Sequence, residues 1–205
     1  LPDPARVKAV KKDLESKGVK YIYSHWIDFL GSPKTKPMPI SDFEDLCSGK
    51  GPQFAVHSVS FVPELTAADN DQIPVPDLDS LLICPWDKTC AWVFSDLWWN
   101  GKPYDVCPRQ TLKKQIKKNA DADLKFYVGI EPEFFVMKWE DGKPVKAIDR
   151  DPIPLRRQAF GYDSEYSIEG MNFLKEIIDI LNEDLKWELH DVVAEGAYGQ
   201  YELDF

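Results

Sequence analysis

The 205-residue chain has no apolar run near the roughly 20 residues needed to span a bilayer, no CxxC pair, no His grouping beside its cysteines and no excess of basic residues. Each absence removes a class of function. Lys and Arg number 25 against 35 Asp and Glu, a net charge of -10 and the reverse of the basic footprint that a phosphate-backbone reader requires. Nucleic acid is therefore not an expected partner. Cys47, Cys84, Cys90 and Cys107 are not spaced as a zinc ligand set, and they are expected to be buried and reduced. There is no internal repeat and no low-complexity tract. The opening LPDPARVKAVKKDLESKG is amphipathic rather than signal-like, so the expectation is a soluble cytoplasmic protein with no membrane association. What is present is 43% hydrophobic and 13% aromatic residues, enough to bury a sizeable core in one large domain or two smaller ones. The chain begins without Met and stops at YELDF inside an apparent strand, which suggests a processed or incompletely represented polypeptide.

Asp3 and Pro4 stand as N-cap and first residue of a helix that carries Val7, Val10 and Leu14 on one face and stops at Gly18. VKYIYSHWIDFLG alternates as a strand does and turns through LGSP into KTKPMPI, a hairpin. Ser41 and Glu44 have capping-box spacing ahead of a short helix, and residues 51–80 read mostly as loop. The apolar runs 81–86 and 90–99 flank a polar turn and predict the central strands of a small sheet, closed by Asn100-Gly101. Pro108 then opens a helix with Leu112 and Ile116 inward, and the shift in composition and periodicity predicts a domain boundary near residue 105. Beyond it come a hairpin around Asp141-Gly142, a loop of Pro and Arg to about 166, and a helix over 168–181. That helix has Ile168, Met171, Leu174, Ile177, Ile178 and Leu181 inward, and two strands about a Gly-rich bend follow it.

Within VGIEPEFFVM, residues 128–137, Glu131 and Glu133 interrupt an otherwise apolar run. Residues two apart on a strand share a face, so both carboxylates point one way while Ile130 and Phe134 point the other. Two such charges repel unless a cation lies between them, and the plainer alternative is a solvent-facing edge or an Arg-paired duo. Glu195 and Glu202 flank AEGAYGQYE, where Gly196 and Gly199 permit a tight bend that draws both carboxylates together. Four carboxylates in apolar or Gly-rich settings suit a hard cation, Mg2+ or Mn2+.

GIEPEFF, followed some sixty residues on by EGAYGQYELDF, is similar to the glutamine synthetase family, as is PDLDSLLICPWDKTCAWVFSDL. The resemblance runs through the whole chain in order. It implies an α+β fold: a β-grasp N-terminal domain over 1–105, then the first, incomplete part of a catalytic domain over 106–205, built on a curved antiparallel sheet. It further implies a ring-shaped homo-oligomer with sites between subunits. Carried over by position, Glu133, Glu195 and Glu202 match the ligands of the metal nearest glutamate, and Glu131 matches one ligand of the metal that polarises ATP. The implied reaction phosphorylates the glutamate γ-carboxylate with ATP, after which an amine displaces phosphate. The remaining ligands and most nucleotide contacts belong in this family to a C-terminal half.

Two departures bear on the amine. Ammonia-using members carry an FDGSS-like loop whose Asp holds ammonium; here the comparable stretch is PQFAVHSVSFVPEL, with His57 nearest that position among Ala55, Val56 and Val59. His57 is either structural or a base for an organic amine, since an imidazole would not attract ammonium as a carboxylate does. Val193 and Ala194 stand where many members have a His pair. Together these changes favour a γ-glutamyl ligase acting on an alkyl- or arylamine over glutamine synthetase proper, with a non-catalytic structural relative and a plain metal-binding module as further alternatives. Gln200 and Tyr201, lying between site carboxylates, are candidate substrate-binding residues. Trp86, Trp92, Trp98 and Trp99 are expected to pack a core or interface, and Arg156 and Arg157 either reach phosphate or belong to a solvated loop.

Overall fold

The computed structural model describes residues 1–59, 65–147 and 161–205, so Arg156 and Arg157 lie outside the described residues. The chain packs as two compact units, Leu1–Phe126 and Tyr127–Phe205. The division falls later than the compositional shift near residue 105.

In the first unit the Asp3 carboxylate accepts the Arg6 N–H at 2.9 Å, and Pro4 opens α1 (Pro4–Ser16), which buries Val7 and Leu14 as their spacing predicts. Strand β1 (Tyr21–Ile27) and strand β2 (Pro33–Pro39) form the expected antiparallel hairpin. Asp28 pins its turn by accepting the N–H groups of Leu30 and Ser32 at 2.9 and 2.8 Å. A 3-10 turn at Ile40–Asp42 leads into α2 (Phe43–Cys47). The expected capping box does not form: the Ser41 hydroxyl donates to Asp42, and Glu44 pairs with Lys11.

After α3 (Val56–Val59) comes β3 (Ile73–Pro76), in a stretch the sequence reads as loop. Its alternation is hidden by two prolines, which a strand tolerates at a sheet edge. Strands β4 (Leu82–Ile83), β5 (Cys90–Trp99) and β6 (Lys102–Pro103) complete a sheet of order β2-β1-β5-β3, with β4 and β6 also on β5. The β1–β5 pairing is parallel and every other is antiparallel. Ile22, Ala91 and Val93 face α1 and α2 across a core that includes Leu14, Phe43 and Leu46. Trp92 lies edge-on to Trp86 and His25, and Trp99 edge-on to Tyr104, whereas Trp86 itself is 61% exposed rather than part of a core. All four cysteines are free and buried.

Helix α4 (Pro108–Asp121) forms where Pro108 predicts it, but Leu112 and Ile116 are 59% and 58% exposed rather than inward. Ion pairs hold the helix instead. Arg109 bonds Asp96 at 2.9 Å and Asp77 at 2.8 Å, and Lys113, one turn on, reaches Asp96 at 2.7 Å. The face that meets the sheet is therefore the charged 109/113 face.

The second unit holds β7 (Glu133–Phe135), β8 (Met137–Glu140) and β9 (Lys143–Lys146), then α5 (Ser164–Asp179), β10 (Asp191–Ala194) and β11 (Gln200–Asp204). The hairpin at Asp141-Gly142 is β8–β9 alone, while β7 joins a separate sheet of order β10-β11-β7. Helix α5, continued by a π turn over Ile180–Asp184, packs Leu174, Ile177, Ile178 and Leu181 on that sheet. Ile168, in the second turn of α5, is 72% exposed and does not join them. Among the described residues no helix is long and apolar enough to cross a membrane.

Candidate metal centre

The sheet β10-β11-β7 divides its residues by the two-residue period of a strand. Tyr201, Leu203, Phe134, Val192 and Ala194 lie on the side packed against α5 and its continuation. Glu202, Asp204, Glu133 and Asp191 occupy the opposite side. Register sharpens this. Glu202 stands directly across from Glu133, and Asp204 directly across from Asp191. Like charges in such positions destabilise a sheet, so the acidic side calls for protons or cations.

Glu195 reaches the same place from the bend after β10. Its N–H donates to the Gln200 carbonyl at 3.0 Å and the Gln200 N–H donates to the Ala197 carbonyl at 3.1 Å, closing a loop whose last residue, Gly199, has φ 73. That left-handed conformation strains any residue with a Cβ. With the bend closed, carboxylate oxygens of Glu133, Glu195 and Glu202 lie within 4.8 Å of one another.

The crowding has an electrostatic signature. The Glu202 carboxyl is pushed up to about 7, first by a hydrogen-bonded contact with Glu195, then by burial and by the charges of Asp204, Glu195 and Glu133. Asp204 is raised as well, chiefly by its hydrogen-bonded contact with Asp191 and by burial. Without a cation the raised Glu202 carboxyl titrates near neutral pH, so a proton relieves part of the repulsion there; a hard divalent ion supplies the same compensation and takes oxygen ligands. The three glutamates therefore fit such an ion.

The other expected site residues are distributed unevenly. Glu131 precedes β7 in chain that continues the ladder, the N–H groups of Leu203 and Phe205 bonding the carbonyls of Pro132 and Ile130 at 3.2 Å. Its carboxylate is exposed and acts on Asp204, a row away from the three-glutamate cluster. The Gln200 amide joins the cluster by donating to Glu133 at 2.7 Å. Tyr201 does not: it is 1% exposed, on the α5 side. His57 lies exposed in α3 of the first unit. Asp191 and Asp204 were not singled out from the sequence, although the two-residue step from Glu202 to Asp204 was the available signal.

Residues 105–205 match the family model described as the glutamine synthetase catalytic domain. A glutamine synthetase of Rhizobium meliloti is 31% identical over 189 residues, covering 92% of this chain and 41% of the relative. A glutamate–methylamine ligase of Methyloversatilis universalis is 28% identical over 197 residues, 94% of this chain and 42% of the relative. Among solved structures, one titled "Apo GmaS without ligand" superposes with a TM-score of 0.79 at 26% identity, covering 95% of this chain and 44% of that one. The chain thus spans about two fifths of the length of the curated relatives it matches. Residues 105–205 are thus similar to the glutamine synthetase catalytic domain, and nearly the whole chain is similar to glutamine synthetases and to a glutamate–methylamine ligase.

Proposed function

We propose that the chain serves an ATP-dependent γ-glutamyl ligase that joins the γ-carboxylate of glutamate to an organic amine through a γ-glutamyl phosphate. The observation that carries this reading is the convergence of Glu133, Glu195 and Glu202 to within 4.8 Å on the acidic side of the sheet. These three would hold one divalent cation, Mg2+ or Mn2+, and Glu131 would contribute to a second whose other ligands belong, in the glutamine synthetase family, to a C-terminal half. The cations would supply charge neutralisation on the transferred phosphoryl group. The protein's own part is to hold the carboxylates converged, with the Gly199 bend carrying Glu195 and the β11–β7 register setting Glu202 against Glu133.

In this reading residues 1–105 form a β-grasp N-terminal domain and 106–205 the first part of the catalytic domain, and the protein assembles as a ring-shaped homo-oligomer with sites between subunits. The β2-β1-β5-β3 order with a parallel central pair supports the first assignment. His57 takes the proton of the attacking amine. Both the loop carrying His57 in place of a carboxylate and the likeness to a glutamate–methylamine ligase favour an organic amine. The second reading, ammonia as the amine, is favoured by the likeness to glutamine synthetases.

The test is phosphate release by the protein with ATP, glutamate and Mg2+, comparing ammonium with methylamine and a panel of alkyl- and arylamines. Faster turnover with an organic amine supports the proposal. Preference for ammonium replaces it with the second reading, and no turnover with any amine replaces it with a non-catalytic relative.

A further inference from the structure

We infer that Gln200 is a positioning residue that sets the orientation of the Glu133 carboxylate toward a cation. The inference rests on the metal reading above. In the register of β11 and β7, Gln200 lies across from Phe135, so Glu133 is its diagonal neighbour, a separation that a long side chain can span. The Gln200 Nε2–H donates to Glu133 Oε2 at 2.7 Å, a charge-assisted bond across 67 residues of sequence.

The backbone of Gln200 does a second job. Its carbonyl accepts the Glu195 N–H at 3.0 Å and its N–H closes the bend on Ala197. Two residues on, and on the same face, comes Glu202. One residue thus touches or directly flanks every segment that bears a carboxylate of the cluster. With Oε2 of Glu133 engaged by the amide, its rotation is restricted and its other oxygen is oriented by the same contact, which is how outer partners tune carboxylate ligands. Because an amide donates without adding charge, it does this where a further carboxylate would add repulsion and where a lysine would compete with a cation.

The two roles of Gln200 separate experimentally, since Gln200→Leu keeps the backbone N–H and carbonyl that make the bonds to Ala197 and Glu195. Mn2+ alone would be titrated calorimetrically into the wild-type protein and into Gln200→Leu and Glu133→Gln variants, with thermal melting of each in chelator and the electron paramagnetic resonance spectrum of bound Mn2+. The expected result is a loss of Mn2+ affinity of about 10-fold or more in Gln200→Leu, an altered Mn2+ spectrum, and a melting temperature in chelator no lower than that of the wild type. Unchanged affinity and spectrum in Gln200→Leu, with affinity lost in Glu133→Gln, overturn the positioning role while leaving the metal reading in place. Mn2+ binding that is absent from the wild type, or indifferent to Glu133→Gln, overturns both. Affinity lost only in proportion to a lowered melting temperature assigns Gln200 a structural role and overturns the inference.

Discussion

Glu202 faces Glu133 across the ladder and Glu195 across the bend, and the consequence can be read in pH. Its carboxyl, ordinarily near 4.5, is raised to about 7 in the folded chain, so between those values the folded state holds a proton that the unfolded state has lost. Stability in chelator should therefore fall as pH rises from about 4.5 through 7, and level off above. Mn2+ competes with that proton, so its affinity should rise over the same interval. Denaturation midpoints and calorimetric affinities at pH 5, 6, 7 and 8 check both, and a flat profile would show that the three carboxylates do not share a proton. Glu202→Gln should flatten the chelator profile and weaken Mn2+ binding together.

Elements meet here through two different kinds of contact. Helix α5 lies so close to β11 that a Cβ at Gly170 would overlap the buried ring of Tyr201. Alanine favours a helix over glycine by about 1 kcal/mol, but overpacking a close-fitted core costs about 1–3 kcal/mol. Gly170→Ala is thus expected to destabilise, by about 1–2 kcal/mol in urea denaturation, with most of the loss in the second unit. Helix α4 is the contrary case, tied by charge. Burial alone would raise the Asp77 carboxyl, yet the hydrogen bonds from Arg109 and Lys113 outweigh it and hold it below its ordinary value. That stabilisation is present above the ordinary carboxylate range and is lost as pH falls through the lowered folded value. Arg109→Ala removes bonds to both Asp77 and Asp96, and should cost about 1–3 kcal/mol at pH 7 and less in acid.

For the molecule as a whole, a ligand that binds only the folded state stabilises it by mass action. Mn2+ at 100 times its dissociation constant should therefore add about 2.7 kcal/mol. The triple variant Glu133→Gln, Glu195→Gln, Glu202→Gln should lose that response while melting in chelator no lower than the wild type at pH 8, because the repulsion leaves with the charge. A variant that still responds would place the ion elsewhere. The effect belongs to the unit Tyr127–Phe205, which carries all three glutamates; a cation response confined to the first unit would contradict the assignment.

Much of this was legible in one dimension. Asp3-Pro4 marks the start of α1, the apolar spacing of Leu174, Ile177, Ile178 and Leu181 marks the packed face of α5, and the two-residue period puts Glu131 and Glu133 on one side of their segment. Those features depend on neighbours within a turn or two, where backbone geometry alone decides direction. The partner of β7 was not legible: the Asp141-Gly142 hairpin reads as if it included β7, whereas β7 pairs with β11, because only there do Phe134 and Tyr201 share cover beneath α5. Neither was the outward face of α4, where partly exposed ion pairs from Arg109 and Lys113 outweighed the pull of Leu112 and Ile116. The sequence by itself determined which carboxylates could share a side. Only the tertiary structure decided that Glu195 and Glu202 meet Glu133, and that Gln200 holds it, since strand pairing over such a separation is set by burial of the opposite face.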